Sequence, residues 1–230
     1  MASTLQKRVF ISAFDKGGIS DFAQQLVKLG WEVVSSGGTA GFLEKAGVPV
    51  TSVEKMVEGI FRARLRTIGL PDPIIDNMFA ANVFCLGPIL DHRLVTIRPE
   101  VHGGLISDLD NPAHNAQLNL MRIKKFDLVV CDFYPLQTAI NTPGATVKSV
   151  LHDTDIGGPT MVRSAAKGGR GVICRVKDRA WVLDELRADG CLSPFSIQRL
   201  RTIAEREVGK YCLASYRFHR SRLPVGFSVD

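Results

Sequence analysis

The sequence predicts an α/β fold built on a parallel, doubly wound sheet. Strand-like, loop and helix-like segments alternate from Arg8 to Pro49. Short apolar runs suited to buried strands recur at Asp127–Cys131 (DLVVC) and Gly171–Cys174 (GVIC). The stretches between and after them carry helical spacing, so strand–helix alternation continues along the chain.

Arg8–Ala13 (RVFISA) is the first expected strand. After Asp15-Lys16-Gly17-Gly18, the residues Ile19, Phe22, Ala23, Leu26 and Val27 line one face of an amphipathic helix that Gly30 ends. Trp31–Val34 is the second expected strand. Ser35-Ser36-Gly37-Gly38-Thr39 then opens a short helix that runs to Ala46 and is closed by Gly47 and Pro49. Further helices are expected at Ala113–Met121, Thr146–His152, Pro159–Lys167 and Arg179–Ala188, with one long helix from Ser196 to Arg217. The least legible region is Glu54–Leu86. It joins a basic helical stretch (Phe61–Ile68), a turn at Pro71 and Pro73, and an apolar patch (Met78–Leu86) that suits either the core or an interface. With no internal repeat or linker, residues 1–230 read as one domain.

Composition narrows the function classes. Charged residues at 23 % and apolar residues at 45 % are the balance of a folded globular chain, not a disordered one. No apolar run approaches the roughly 20 residues of a membrane span. The N-terminus enters a strand without the features of a signal peptide. The five cysteines (Cys85, Cys131, Cys174, Cys191, Cys212) are scattered and form no CxxC pair, as expected of reduced thiols in the cytoplasm and not of a metal site. The net charge of +6 gathers late, at Arg199, Arg201, Arg206, Lys210, Arg217, Arg220 and Arg222. Neither a basic stripe with stacking aromatics nor a known module supports nucleic-acid binding. A solvated helix face and a basic tail explain most of this charge, and attraction of phosphorylated small molecules is the alternative.

The first two strand-to-helix loops are alike. Ser12, Lys16, Gly17 and Gly18 form one; Ser35, Ser36, Gly37, Gly38 and Thr39 form the other. Each brings small residues and hydroxyls to a strand's carboxyl end, where backbone N–H groups and a helix N-terminus hold anions. Either loop alone reads equally well as a tight turn. Two in adjacent units, one with a lysine, favour a phosphate site in the crevice beyond the strand ends. The pattern is neither GxGxxG nor GxxxxGK[ST], so no dinucleotide or Walker-type nucleotide is indicated.

Five ordered segments resemble inosine-monophosphate cyclohydrolase, the N-terminal half of the bifunctional enzyme that completes purine synthesis. They are SAFDKGGISDFAQQL, SSGGTAGFLEKAGVPVT, HRLVTIRPEVHGGL, DLVVCDFYPLQT and TDIGGPTMVRSAAK. The resemblance covers almost the whole chain except Glu54–Leu86, which reads as an insertion, and no transformylase half follows. It implies a methylglyoxal-synthase-like fold with additional C-terminal helices, a homodimer, and a purine-precursor nucleotide as ligand. A separate formyltransferase would supply the substrate. The implied reaction is ring closure of a formamido-imidazole carboxamide ribonucleotide with loss of water, without metal or redox cofactor.

Carried over residue by residue, the resemblance places Ser12, Lys16, Gly17, Ser36, Gly38 and Thr39 at the phosphate, with Arg93 and Thr96 beside it. Cys131, Asp132 and the Ile156–Gly157 backbone would face the base, and Tyr134, Asp155 and Lys167 would carry the chemistry. The chain departs from the family pattern where RVKTLHP becomes Arg93-Leu94-Val95-Thr96-Ile97-Arg98-Pro99. Val95 replaces a lysine expected to donate to the developing oxyanion, and losing such a donor costs about 10²–10³ in rate. Asp132 replaces an asparagine, and Gly17 a threonine.

Three readings follow. The chain closes the purine ring, with Arg98, Arg62, Arg64 or Arg66 replacing the lysine. Alternatively it cyclises or opens an altered base, for which Asp132 would accept an extra N–H. A non-catalytic nucleotide binder is the third, and retention of Tyr134, Asp155 and Lys167 argues against it. A methylglyoxal-synthase reading leaves the CDFYP and DIGG segments unused.

Overall fold

Alternation of side chains along each short strand gives the sheet two apolar faces. A computed structural model describes residues 6–84, 86, 90, 94–224 and 226–227. Its strands are β1 (Arg8–Ser12), β2 (Glu32–Ser35), β3 (Thr51–Ser52), β4 (Leu128–Cys131) and β5 (Gly171–Ile173). They lie in the order β3-β2-β1-β4-β5, every neighbouring pair parallel. The expected parallel, doubly wound sheet is therefore present. Val9 and Ile11 face one side with Leu128, Val130 and Ile173, while Phe10 faces the other with Val34, Val129 and Val172.

Helices cover both faces. On the first side, α1 (Ile19–Lys28) buries Ile19, Phe22, Ala23 and Leu26, and α10 (Arg179–Asp189) buries Val182, Leu183 and Leu186. On the second side, α5 (Pro99–Ile106) buries Val101 and Leu105, and α9 (Gly157–Lys167) buries Met161, Val162, Ala165 and Ala166. The long α11 (Pro194–Arg220) crosses the end of the sheet and sends Ala204 and Val208 into this second core. The remaining helices are α2 (Gly37–Lys45), α3 (Val53–Thr67), α4 (Asp72–Ala80), α6 (Pro112–Leu120), α7 (Leu136–Asn141) and α8 (Val147–His152). Among the described residues no helix is long and apolar enough to cross a membrane.

Differences from the sequence expectation have local causes. Trp31 is not in β2, because its N–H donates to the Leu26 carbonyl (3.0 Å) and closes α1. The last helix begins at Pro194, two residues earlier than expected, because the Ser193 hydroxyl accepts the Ser196 N–H (3.2 Å). The region Glu54–Leu86 packs on the rest of the fold. α3 places Val53, Met56 and Val57 in the second core, and Arg64 pairs with the buried Glu100 of α5 at 3.2 Å. The apolar patch is largely spent inside this segment, where Phe84 packs on Phe61 (5.0 Å between ring centroids) and Phe79 (4.9 Å). Cys131 and Cys174 are buried and Cys191 and Cys212 exposed, all as free thiols, while Cys85 lies outside the described residues.

α5 and α9 touch backbone to backbone at Gly168, just past the end of α9. A Cβ built there would lie 1.9 Å from the Leu105 carbonyl oxygen. Gly168→Ala must separate the two helices and so reopen the second core. The expected cost is about 3 kcal/mol, read as a lowered midpoint in denaturant with an unchanged slope.

Candidate functional site

A strand order in which β2 and β4 flank β1 makes the chain leave β1 on one side and return on the other. The loops at their carboxyl ends diverge there, and a crevice opens. In this chain the crevice is a cleft of about 990 Å³, a volume that holds a nucleotide-sized ligand.

One end of the cleft is the pair of loops after β1 and β2. Ser12, Lys16, Ser36, Gly37, Gly38 and Thr39 line it. The Lys16 ammonium donates to the Ala13 carbonyl and to Thr39 Oγ1 (3.0 Å). Thr39 in turn donates to the Ala13 carbonyl (3.0 Å) and accepts the Ala13 N–H (3.3 Å), so the loops are stitched together. The Ser36 and Ser12 hydroxyls meet at 3.5 Å. Gly37 opens α2 at φ +49°, a conformation that favours glycine, and the first residues of the helix line the cleft. Burial pushes the Lys16 amine down, and the Asp132 and Asp15 carboxylates oppose that shift.

The other end lies between the exit of β4 and the start of α9, where Asp132, Tyr134, Asp155, Ile156, Gly157 and Gly158 line the cleft. Asp132 spans the crevice: its carboxylate accepts the N–H groups of Phe14 and of Asp15 (3.1 Å). Asp155 accepts the Gly158 N–H at 2.8 Å, and its own N–H donates to the Tyr211 phenol of α11 at 2.6 Å. Burial pushes the Asp155 carboxyl up. Backbone N–H groups of Gly158, Tyr134 and Gly157 hold it down in part, and the charge of Asp132 adds to the rise. Gly158 has no room for a side chain, since a Cβ there would sit 2.5 Å from Asp155 Oδ2. Tyr134 is 56 % exposed and meets Phe14 edge to face at 5.5 Å, which forms the mouth.

Val95, Thr96 and Ile97 form a wall of the cleft. Most of the residues singled out from sequence thus meet in one place, with four exceptions. Gly17 lies behind the cradle, its N–H on Asp15 Oδ1 (2.8 Å). Cys131 is buried beneath the floor, with Sγ directed at the Asp132 and Gly158 carbonyls and its thiol pushed well up by burial. Arg93 lies outside the described residues. Lys167 is exposed at the far end of α9, about 15 Å along the axis from Gly157, and does not line the cleft. A helix whose first turn faces the cleft cannot also bring its last turn there.

The arginines expected to stand in for a lysine at the Val95 position are engaged elsewhere. Arg98 donates to the Leu86 carbonyl (3.4 Å), Arg62 pairs with Glu58 and Asp76, Arg64 with Glu100, and Arg66 with Asp72. None of the four lines the cleft. Conversely, sequence reading missed Thr138 and Thr142 beside α7, His152 and Asp153 at the end of α8, and Tyr211. The Thr146–Ser149 capping box that starts α8 is a local signal near His152 and Asp153.

Comparison with known proteins agrees with this architecture. Residues 18–160 match the model of the MGS-like domain. The bifunctional purine biosynthesis protein PurH of Listeria monocytogenes (strain EGD-e) is 36 % identical over 207 residues, which are 89 % of this chain and 35 % of that protein. PurH of Streptococcus pneumoniae (strain 70585) is 36 % identical over 209 residues, or 90 % of this chain and 35 % of the relative. The chain therefore spans about a third of the length of these curated relatives. A structure titled "Crystal structure of ForH" superposes with a TM-score of 0.70 at 22 % identity, covering 93 % of this chain and 99 % of that one, and so shares the fold. With more than half of its residues matched by the domain model, the chain belongs to the MGS-like domain family.

Proposed function

We propose that the chain is a ring-closing cyclohydrolase acting on a 5-formamidoimidazole-4-carboxamide ribonucleotide or a close analogue. One observation carries this reading: a single cleft joins a phosphate-type cradle to a half-buried carboxyl at the start of α9. Likeness to PurH over nearly the whole chain supports it.

In this reading the substrate's 5′-phosphate sits on the first turn of α2, with Lys16 beside it and Ser12, Ser36 and Thr39 as hydroxyl donors. Its base lies against Asp132, Asp155 and the Gly157–Gly158 backbone. The carboxamide nitrogen attacks the formyl carbon and closes the ring, and Asp155 removes a proton from that nitrogen. A carboxylate raised by burial is the better base for the purpose. The Tyr134 phenol donates to the developing oxyanion. Tyr134 gives its proton to the oxyanion to form the ring carbinolamine, which then loses water. Asp155 returns its proton to the departing hydroxyl, and the formamido nitrogen's proton passes to the Tyr134 phenolate as the double bond forms, so both side chains end as they began. Fixing both reacting groups on one frame contributes as much as the acid–base step.

Val95 favours a second reading. It lines the cleft without charge, and Arg62, Arg64, Arg66 and Arg98 are bound elsewhere. A base that develops less negative charge, or that offers an N–H to Asp132, fits such a wall better.

Ring closure followed by ultraviolet absorbance separates the two. Turnover by the wild type, with Asp155→Asn slowed by about 10²–10⁴-fold, supports the purine substrate. A wild type that binds the ribonucleotide without turnover, and gains it on Val95→Lys, assigns the chain to an altered base.

The same carboxyl predicts a stability effect of opposite sign. Its folded-state pKa is raised, so holding it ionised costs stability, and that cost appears as the pH rises through and above the ordinary value of 3.8. Asp155→Asn is expected to unfold at a higher temperature than wild type at neutral pH. The gain should vanish below pH 3.8, where both side chains are neutral. Thermal scans at the two pH values check this.

A further inference from the structure

The turn that presents Lys16 is held through several of its backbone groups. Asp132 takes the N–H groups of Phe14 and Asp15, and Asp15 Oδ1 takes the N–H of Gly17 at 2.8 Å. The Gly17 carbonyl is held by a residue from a distant part of the chain: Arg179 Nη1 donates to it at 2.7 Å from the first turn of α10.

The placement of Arg179 is unfavourable for the helix that carries it. A cation in a first turn opposes the helix dipole. The residue is only 6 % exposed, and its Nε is buried without a partner, which adds a desolvation cost. The adjacent acid does not neutralise it, because Asp178 is held bidentately by Arg175, at 2.6 Å from Nε and 2.8 Å from Nη2. The anions that do act on Arg179 are Asp132 and Asp15, the two that shape the Lys16 turn. Tucked under the cleft in a medium of low dielectric, a guanidinium projects more of its field into the cradle than a surface lysine would.

We propose that Arg179 is a positioning residue of the phosphate cradle, fixing the Gly17 carbonyl and with it the turn that carries Lys16, and adding positive potential behind the site. This rests on the reading that the cleft holds a nucleotide 5′-phosphate, and it assigns Arg179 to the phosphate and not to the base.

The test is calorimetric binding of inosine 5′-monophosphate and of inosine to the whole chain, for wild type, Arg179→Gln and Arg179→Lys. The expected result is that Arg179→Gln weakens the monophosphate by about tenfold, the scale of one charge-assisted contact, and leaves inosine unchanged. Arg179→Lys should fall between, and the wild-type excess of monophosphate over inosine affinity should shrink with added salt. Equal weakening of both ligands, or no weakening of either, overturns the proposal, because a purely structural arginine does not discriminate the phosphate. Should Arg179→Gln fail to fold, Arg179→Lys decides by the same ratio. A wild type that binds both ligands alike overturns the phosphate reading itself, and the role of Arg179 with it.

Discussion

A carboxylate bridges the exits of two adjacent parallel strands: Asp132, just past β4, accepts the backbone N–H groups of Phe14 and Asp15, just past β1. The strand order makes this possible, because β1 lies between β2 and β4 and the chain departs on opposite sides of it. The bridge ties the turn bearing Lys16 to the exit of β4, as Thr39 ties it to the loop after β2 and Arg179 to α10. With the bridge, the cradle and the acidic end of the cleft become parts of one rigid edge. Asp132 also touches the charge state of both ends, opposing the loss of the Lys16 proton and adding to the rise at Asp155. The carboxylate at this place thus acts on the cleft as a unit.

The sheet and its first helices were legible because their signals are local. The apolar runs of β1, β4 and β5 and the helical spacing of α1 are written in consecutive residues. The two strand-to-helix loops were legible as a site for the same reason. β3 was not, since two residues carry no periodicity. α5 was hidden by Gly103 and Gly104, which weaken a helical pattern yet allow Gly104 O to accept the Phe126 N–H (3.0 Å). Tyr211 and Arg179 were illegible for a different reason. Each acts through a backbone group far away in the chain, at Asp155 and Gly17, and such pairings exist only once α10 and α11 are packed. Lys167, placed at the site by family resemblance, stands at the other end of the helix that begins beside Asp155.

The start of α9 shows how the chain divides its residues between holding and acting. Gly158 lets its backbone N–H close on Asp155, where a Cβ would sit 2.5 Å from Oδ2. Tyr211 then clamps the peptide from the opposite side. The carboxyl is held firmly, yet burial keeps its affinity for a proton high, and the two effects oppose each other at one atom group. The far end of the same helix meets the opposite demand. There Gly168 lets α9 rest directly on α5, a contact that serves cohesion alone.

Burial has also sorted the thiols by chemistry. Cys131 lies at the end of β4 and Cys174 just past β5, the former raised well above an ordinary thiol and the latter pushed up to about 12. At neutral pH neither offers a thiolate to an oxidant or electrophile. Cys191 and Cys212 stand in solvent, and Cys212 is the neighbour of Tyr211 on α11. Among the described cysteines, oxidative damage would therefore spare the strands that build the cleft and fall on Cys191, before α11, and on Cys212, within the helix that grips Asp155.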